Sequence, residues 1–304
     1  MGERAYRKPE TRTERSEFSE AKLNITIEMK YYLCNCHTDK SINTMIRKFI
    51  ASILLFCFAG ILHAQEGSLL RKWSYNTAHL MPAGKWESGI LQPFRYGINP
   101  KLEVYTHVPM LPFIPEAGVK VAWGIKNDFV LASEHSLSVP TPFLNVVSRK
   151  GIGGLISPEY DFAFILSVYN GLAVTRPIAP KVLLSAKAGL AFAIRAEKPD
   201  PQSTIDLPVF YPRMAHYYDG ASIRLGTAVK GSLGEKWFYE EGIQAFIITR
   251  PENNFFFENT GTLMWSVGKS FRIRGGYILA YGKYPYVTPK WQLWPTLDFV
   301  FGSK

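Results

Sequence analysis

Beyond position 57 the chain has no cysteine: Cys34, Cys36 and Cys57 are the only three, all in the first fifth of 304 residues. The remainder therefore cannot rest on a disulfide framework. Cys34 and Cys36, with His37 beside them, lack a second ligand pair, so the spacing argues against a zinc site and no cofactor is expected. Also missing is any run of about 18 apolar residues, which excludes an ordinary membrane-spanning helix. The formal charge of +10 is spread along the chain, with no basic block and no recognisable nucleic-acid module. His-Glu-x-x-His, Gly-x-Ser-x-Gly and phosphate-binding glycine loops are absent, and the expectation is a protein that is not an enzyme. A membrane role, if there is one, has to be carried by strands.

What the chain does contain is a period of two. In KVLLSAKAGLAFAIR, residues 181–195, Val182, Leu184, Ala186, Ala188, Leu190, Phe192 and Ile194 alternate with Lys181, Ser185, Lys187, Gly189 and Arg195. One greasy and one wet face mark a strand, and a helix would drive Lys187 into its apolar stripe. The same alternation recurs in GVKVAWGIK, ASIRLGTAVK and SFRIRGGYILAY. The face opposite the greasy one is rich in glycine, alanine and serine, as a curved wall with little room inside requires. Strand-like runs span residues 86–94, 101–108, 117–125, 129–139, 144–152 and 160–169. Further runs span 181–195, 221–230, 238–248, 256–267, 270–281 and 293–301, about twelve in all. The fold class expected is all-β: a single transmembrane, antiparallel, up-and-down barrel of about twelve strands, ten to fourteen being compatible with the pattern. With both ends on the periplasmic side, the long links 196–220 and 282–292 face outward, whereas 109–116 and 170–180 are too long for periplasmic turns.

Ahead of the strands stands MIRKFIASILLFCFAGILHA, residues 45–64. Arg47 and Lys48, an apolar run from Phe49 to Leu62 and the small Ala64 form the layout of a secretory signal peptide, cleaved near Ala64. Residues 1–44 read as a disordered or mis-annotated extension, with translation starting at Met45. Residues 65–85 read as a periplasmic lead-in or plug, and 86–304 as the barrel. The location expected is the outer membrane of a Gram-negative cell.

The segment NTAHLMPAGKWESGILQPFRYGINPKLEVYTHV resembles the opening of uncharacterised, porin-like outer-membrane β-barrel proteins of the Bacteroidota type. Its Pro-Ala-Gly-Lys-Trp-Glu start and Arg-Tyr-Gly-Ile-Asn hairpin carry the resemblance, which implies a barrel and brings no activity or site. The final WQLWPTLDFVFGSK resembles the aromatic-ended last strand that such proteins present to the barrel-assembly machinery.

Candidate functional residues lie on the inner face. Taking the side opposite the greasy one, Glu103, His107, Lys120, Glu134, Lys187, Arg195, Arg224, Lys230, Arg272, Arg274 and Asp298 point into the lumen and line a pore. Cations outnumber carboxylates there, so the expected function is a passive channel or transporter-like barrel preferring a small anionic solute. The alternatives are a closed barrel, structural or binding, whose inward charges pair with one another, a lipid-modifying barrel enzyme, and a soluble sandwich. Ser133 and His135 share the greasy face, but Glu134 points the other way, so another strand would have to complete a triad. His135 reads as a residue near the barrel rim. Tryptophans and tyrosines near the run ends, among them Trp86, Tyr169, Tyr217, Tyr218, Trp237, Tyr284, Trp291 and Trp294, read as interfacial girdles.

Overall fold

The computed structural model of the chain describes residues 74–303, apart from 153, 250–254 and 286. The expected signal peptide, the extension 1–44 and the first part of the lead-in lie outside the described residues. Twelve strands close into one antiparallel barrel in sequence order. They are β1 Trp86–Ser88, β2 Phe94–Asn99, β3 Leu102–Thr106, β4 Glu116–Lys126, β5 Phe129–Ser138 and β6 Ile165–Ala179. Then follow β7 Val182–Arg195, β8 Ala221–Ser232, β9 Trp237–Ile248, β10 Phe255–Ser266, β11 Phe271–Tyr284 and β12 Val287–Gly302. Among the described residues no helix is long and apolar enough to cross a membrane.

The two faces of β7 fall as the alternation requires. Leu184, Leu190 and Ile194 are 39%, 43% and 57% exposed, while Ser185 and Ala191 on the other face are buried. Gly189 belongs to the inner face because the Tyr169 ring lies over it: a Cβ there would come within 2.4 Å of the phenol oxygen. Large apolar residues cover the outer wall, including Ile125, Leu172, Leu225, Leu263, Leu293 and Leu297. An outer surface of this kind, on a closed sheet whose backbone groups pair internally, is what a bilayer accepts.

The strand count agrees with the sequence, but through two errors that cancel. The run 86–94 is not one strand: β1 ends at Ser88 and β2 begins at Phe94. The run 144–152 is not a strand at all. Residues Thr141–Val147 form helix α1, opened by Pro142 in its first turn. Leu144 and Val147 lie one turn apart and pack with Phe162 and Ile165, and a short apolar run of this kind has the same pattern as a buried strand. The run 160–169 belongs to a strand that starts later and continues to Ala179, through what was read as the link 170–180. Asn170 on the outer face and Pro177 beside a register irregularity had broken the pattern.

With these corrections the two objections to loop parity disappear. The even strands are followed by tight connections, such as Asn127 and Asp128, both at positive φ as a two-residue hairpin requires. The long connections, 107–115, 139–164 and 196–220, all follow odd strands. Residues 196–220 contain two short helices, α2 Tyr211–Met214 and α3 His216–Asp219. Rather than standing over the barrel, they fold into it. Tyr211 and Ala215 pack with Phe246, Phe256 and Tyr284, while Met214, Tyr217 and Tyr218 pack with α1 residues and Ile165.

The closure of the barrel is short. β12 pairs with β1 through Gly302 and Phe301, and just beyond them Ser303 N–H donates to the Trp86 carbonyl at 2.8 Å. The Asp298 carboxylate then accepts the backbone N–H groups of Ile90, Leu91 and Gln92 at 2.7, 3.0 and 3.1 Å, tying the loop after β1 to β12. Aromatic side chains ring the outer wall at both levels. Trp237 stacks on Trp265 at 5.8 Å and Phe271 on Phe299 at 6.3 Å near the tight turns; Tyr281 meets Trp291 at 4.9 Å toward the long loops. Tyr169, Tyr217, Tyr218, Tyr284 and Trp294 are not part of these girdles. The four tyrosines pack inside the barrel or its loop core, and Trp294 shares the inner face of β12 with Asp298.

Candidate functional site

Inward-pointing charges form a near-continuous ionic lattice. Arg95 donates to Glu87 at 2.7 Å and to Glu103 at 2.6 Å, and Arg272 joins Glu87 at 3.2 Å. Glu103, Lys120 and Glu134 are register partners across β3, β4 and β5. The Lys120 and Lys187 ammonium groups both lie 3.2 Å from Glu134. Lys230 pairs with Glu240 at 2.9 Å, and Arg274 approaches Asp298 at 3.9 Å while donating to Gln92 at 2.9 Å. Arg213 of α2 makes a bidentate bond to Glu258, at 2.6 and 2.7 Å. Taking so many charges from water is tolerable only because most have an opposite partner at contact distance.

Two cations differ. Arg195 donates to the backbone carbonyls of Tyr217 and Tyr218, at 2.9 and 2.7 Å, and so secures α3. Arg224 donates to the Arg213 carbonyl at 3.3 Å and lies 5.2 and 5.9 Å from the centres of the Tyr169 and Phe246 rings. Its Nε has no hydrogen-bond partner among the described residues. Arg224, Lys187, Lys120, Glu134 and Glu116 line a cavity of about 570 Å³ inside the barrel.

Of the sequence candidates, His107 stands on no strand. It follows the end of β3, on the loop to β4, and its Nε2 lies 2.9 Å from the Leu91 carbonyl. Sequence reasoning also missed Glu87, Arg95, Arg213, Glu240 and Glu258. Glu87 lies in the run 86–94, which is not one strand, Arg95 falls just past the end of that run, and Arg213 lies in a loop. Glu240 and Glu258 stand in runs where outward positions are also polar, so the alternation gave no inner face.

Chain enters the barrel interior on either side of the cavity. At the tight-turn end residues 74–81 cross the interior on polar anchors. Ala78 N–H donates to Thr175 at 2.7 Å, Met81 N–H to Glu103 at 2.6 Å and Asn76 to Glu240 at 2.8 Å. Lys230 binds the Tyr75 carbonyl at 2.6 Å, Lys120 the Thr77 carbonyl, and Arg274 lies over the Tyr75 ring at 5.3 Å. At the other end stand α2 and α3. Burial, and secondarily the Arg224 charge, pushes the His216 pKa down to about 3, so the ring is neutral; burial pushes the Tyr217 hydroxyl up to about 12.

The outer wall holds two polar clusters. On β9 to β11, Asn259 donates to Glu241 at 2.6 Å and the Tyr277 hydroxyl to Glu241 at 3.1 Å. On β5 and β6, His135 Nε2 lies 3.0 Å from Ser133 Oγ and His135 Nδ1 2.7 Å from Asn170 Oδ1. The expectation that His135 is a rim residue is corrected: it stands within the wall, register partner of Val119 and Asn170.

A closed twelve-stranded antiparallel barrel with an apolar outer wall, aromatic belts and tight turns at one end defines a transmembrane β-barrel protein. No family model matches the chain and no curated protein matches it. Among solved structures it is similar to a bacterial polysaccharide outer membrane secretin, with 12% identity, a TM-score of 0.39 and coverage of 70% of this chain and 68% of that one. It is similar also to OmpT, an outer membrane protein of Vibrio cholerae, with 8% identity, a TM-score of 0.36 and coverage of 69% and 62%. A third similar structure is the outer membrane channel DcaP of Acinetobacter baumannii, with 8% identity, a TM-score of 0.35 and coverage of 79% and 68%.

Proposed function

We propose that the protein is an outer-membrane barrel that binds small anionic solutes in its lumen and lets them pass, with the tight-turn end facing the periplasm. The observation that carries this reading is Arg224, a guanidinium on the cavity wall with no carboxylate within ion-pair distance among the described residues. Its neighbours Lys187 and Lys120 share Glu134; with Glu116 as the other carboxylate among these residues, three cations face two carboxylates and this part of the wall carries excess positive charge. A charged ring of this sign favours anions. Residues 74–81 act as a plug, and passage requires them or the α2–α3 loop to shift. Conductance across a planar bilayer tests the reading. Chloride should be preferred over potassium, and Arg224→Gln should lower that preference. Removal of residues 65–81 should raise the conductance. Preference for potassium, or no current from either protein, would refute it.

A further inference from the structure

The cluster on β5 and β6 is more than a set of satisfied polar groups. Outward positions on β4 to β7 are apolar along most of their length, with Val119, Val121, Leu131, Leu137, Val168, Leu172 and Leu190 surrounding it. Within that field the polar side chains Ser133, His135 and Asn170 touch one another. Their hydrogen bonds also have a fixed direction. Trp123 Nε1 lies 2.9 Å from Ser133 Oγ, and an indole N–H can only donate. Asn170 Oδ1 can only accept, so the imidazole carries its proton on Nδ1 and donates it there. Nε2 of the neutral ring is then an acceptor and takes the Ser133 hydroxyl proton, while Trp123 donates to the same Ser133 oxygen. A serine hydroxyl aimed at an imidazole that a third side chain orients is the arrangement that makes serine a nucleophile. Trp123 itself sits at an irregularity in the β4–β5 register, between Ala122 and Gly124, and is 70% exposed. Bulges re-aim side chains beside active sites; this one lays an indole over Ser133, which is 2% exposed.

The surroundings select the substrate. A groove of about 570 Å³ on the outer wall starts at His135 and Asn170 and runs past Val119, Leu137 and Val168 to Phe94. It suits an acyl chain already in the bilayer. Ser133 stands four residues from Phe129, the first residue of β5, which puts it about 10 Å from the tight-turn rim at ~3.3 Å per residue and ~40° tilt. At that rim Arg176 lies over the Phe129 ring at 5.2 Å, and Lys126, the last residue of β4, is the register partner of Phe129. Cations at headgroup level and a nucleophile at ester level match a glycerophospholipid.

We infer that Ser133, His135 and Asn170 form a serine-hydrolase site on the lipid-facing wall that cleaves acyl esters of bilayer phospholipids, with Trp123 as its lid. Ser133 Oγ attacks the ester carbonyl carbon and its proton passes to His135 Nε2. The carbonyl–alkoxy bond breaks, and His135 returns the proton to the departing lysolipid oxygen. Water, deprotonated by His135, then attacks the acyl-serine, freeing the fatty acid and restoring the serine hydroxyl.

The test uses the folded protein, checked by heat-modifiable migration, in phosphatidylethanolamine vesicles. A long-chain sulfonyl fluoride should form an adduct on Ser133, located by mass spectrometry, in the wild type or in Trp123→Ala, where the lid is gone. His135→Ala should slow labelling at least 100-fold; Asn170→Ala should slow it less, with Asn170→Asp restoring the rate. Vesicles should release fatty acid and lysolipid, and Ser133→Ala should abolish this. No adduct on Ser133 in either wild type or Trp123→Ala, or labelling indifferent to His135, overturns the site. Labelling without lysolipid overturns the lipid-ester substrate.

Discussion

Glu240 and Glu241 are neighbours on β9, and they point to opposite sides of the barrel. Glu240 is buried inside, 2.9 Å from Lys230 and 2.8 Å from Asn76. Glu241 stands on the outer wall, where no cation among the described residues meets it; Asn259 and Tyr277 donate to it instead. The pair shows how the two walls accommodate polar groups. Inside, charge answers charge and also holds residues 74–81 in place. Outside, small groups of side chains close their hydrogen bonds on one another, so that bare polar atoms do not face lipid.

If that distinction is right, the same substitution at the two glutamates should have unequal effects. Glu240→Leu strips Lys230 and Asn76 of their carboxylate and should destabilise the barrel by about 3–5 kcal/mol, as loss of one partner from a buried pair does. Glu241→Leu removes an outer group whose partner Asn259 retains the Gly242 carbonyl at 3.1 Å, and should cost under ~1 kcal/mol. The midpoint of heat-modifiable migration measures both, and equal shifts would break the comparison. A second pair of neighbours, on β8, makes the converse test. Leu225 faces out and Gly226 lines the inner cavity. Leu225→Arg should cost about 2–4 kcal/mol, the penalty for arginine on the lipid face of a barrel. Gly226→Ser should be almost neutral, since a Cβ there meets its nearest atom at 3.4 Å. Urea titration in detergent micelles would rank them.

The contrast between walls also explains how much could be read from the chain. Where the outer face is mostly apolar, as in β7, β8 and β11, the alternation shows the strand and its inner residues: Lys187, Arg224, Lys230, Arg272 and Arg274 all point inward, most of them onto carboxylates. Reading failed wherever the outer face is polar or the strand is short. Asn170 hid most of β6, and Glu241 beside Glu240 left β9 without a distinguishable inner side. Three-residue β1 is too short to show any period. Ser133 and His135 were legible as sharing a face, but Asn170 reaches them from another strand, through register, and register is a property of the assembled sheet.

The walls can be compared once more through their histidines, since each has one that meets a serine. His216 Nε2 lies 2.7 Å from Ser167 Oγ on the inside, and His135 Nε2 3.0 Å from Ser133 Oγ on the outside. Only the outer pair has a third member: His216 Nδ1 has no hydrogen-bond partner among the described residues, and the ring packs against Tyr217 at 4.5 Å with Arg224 nearby. His216 therefore works as a packing group whose neutrality matters. Its pKa falls from 6.5 to about 3 in the folded loop, through burial first and the Arg224 charge second. A group depressed in this way stabilises the fold fully above pH ~6.5. That contribution is lost as the pH falls toward 3, at about 1.4 kcal/mol per pH unit, because the opened loop takes up a proton that the packed loop refuses. Hydrogen exchange in residues 211–219, corrected for intrinsic rates, should accelerate between pH 6.5 and 4.5, and His216→Phe should flatten the response. If the corrected rates hold steady over that range, His216 does not govern the closure of the loop over the lumen.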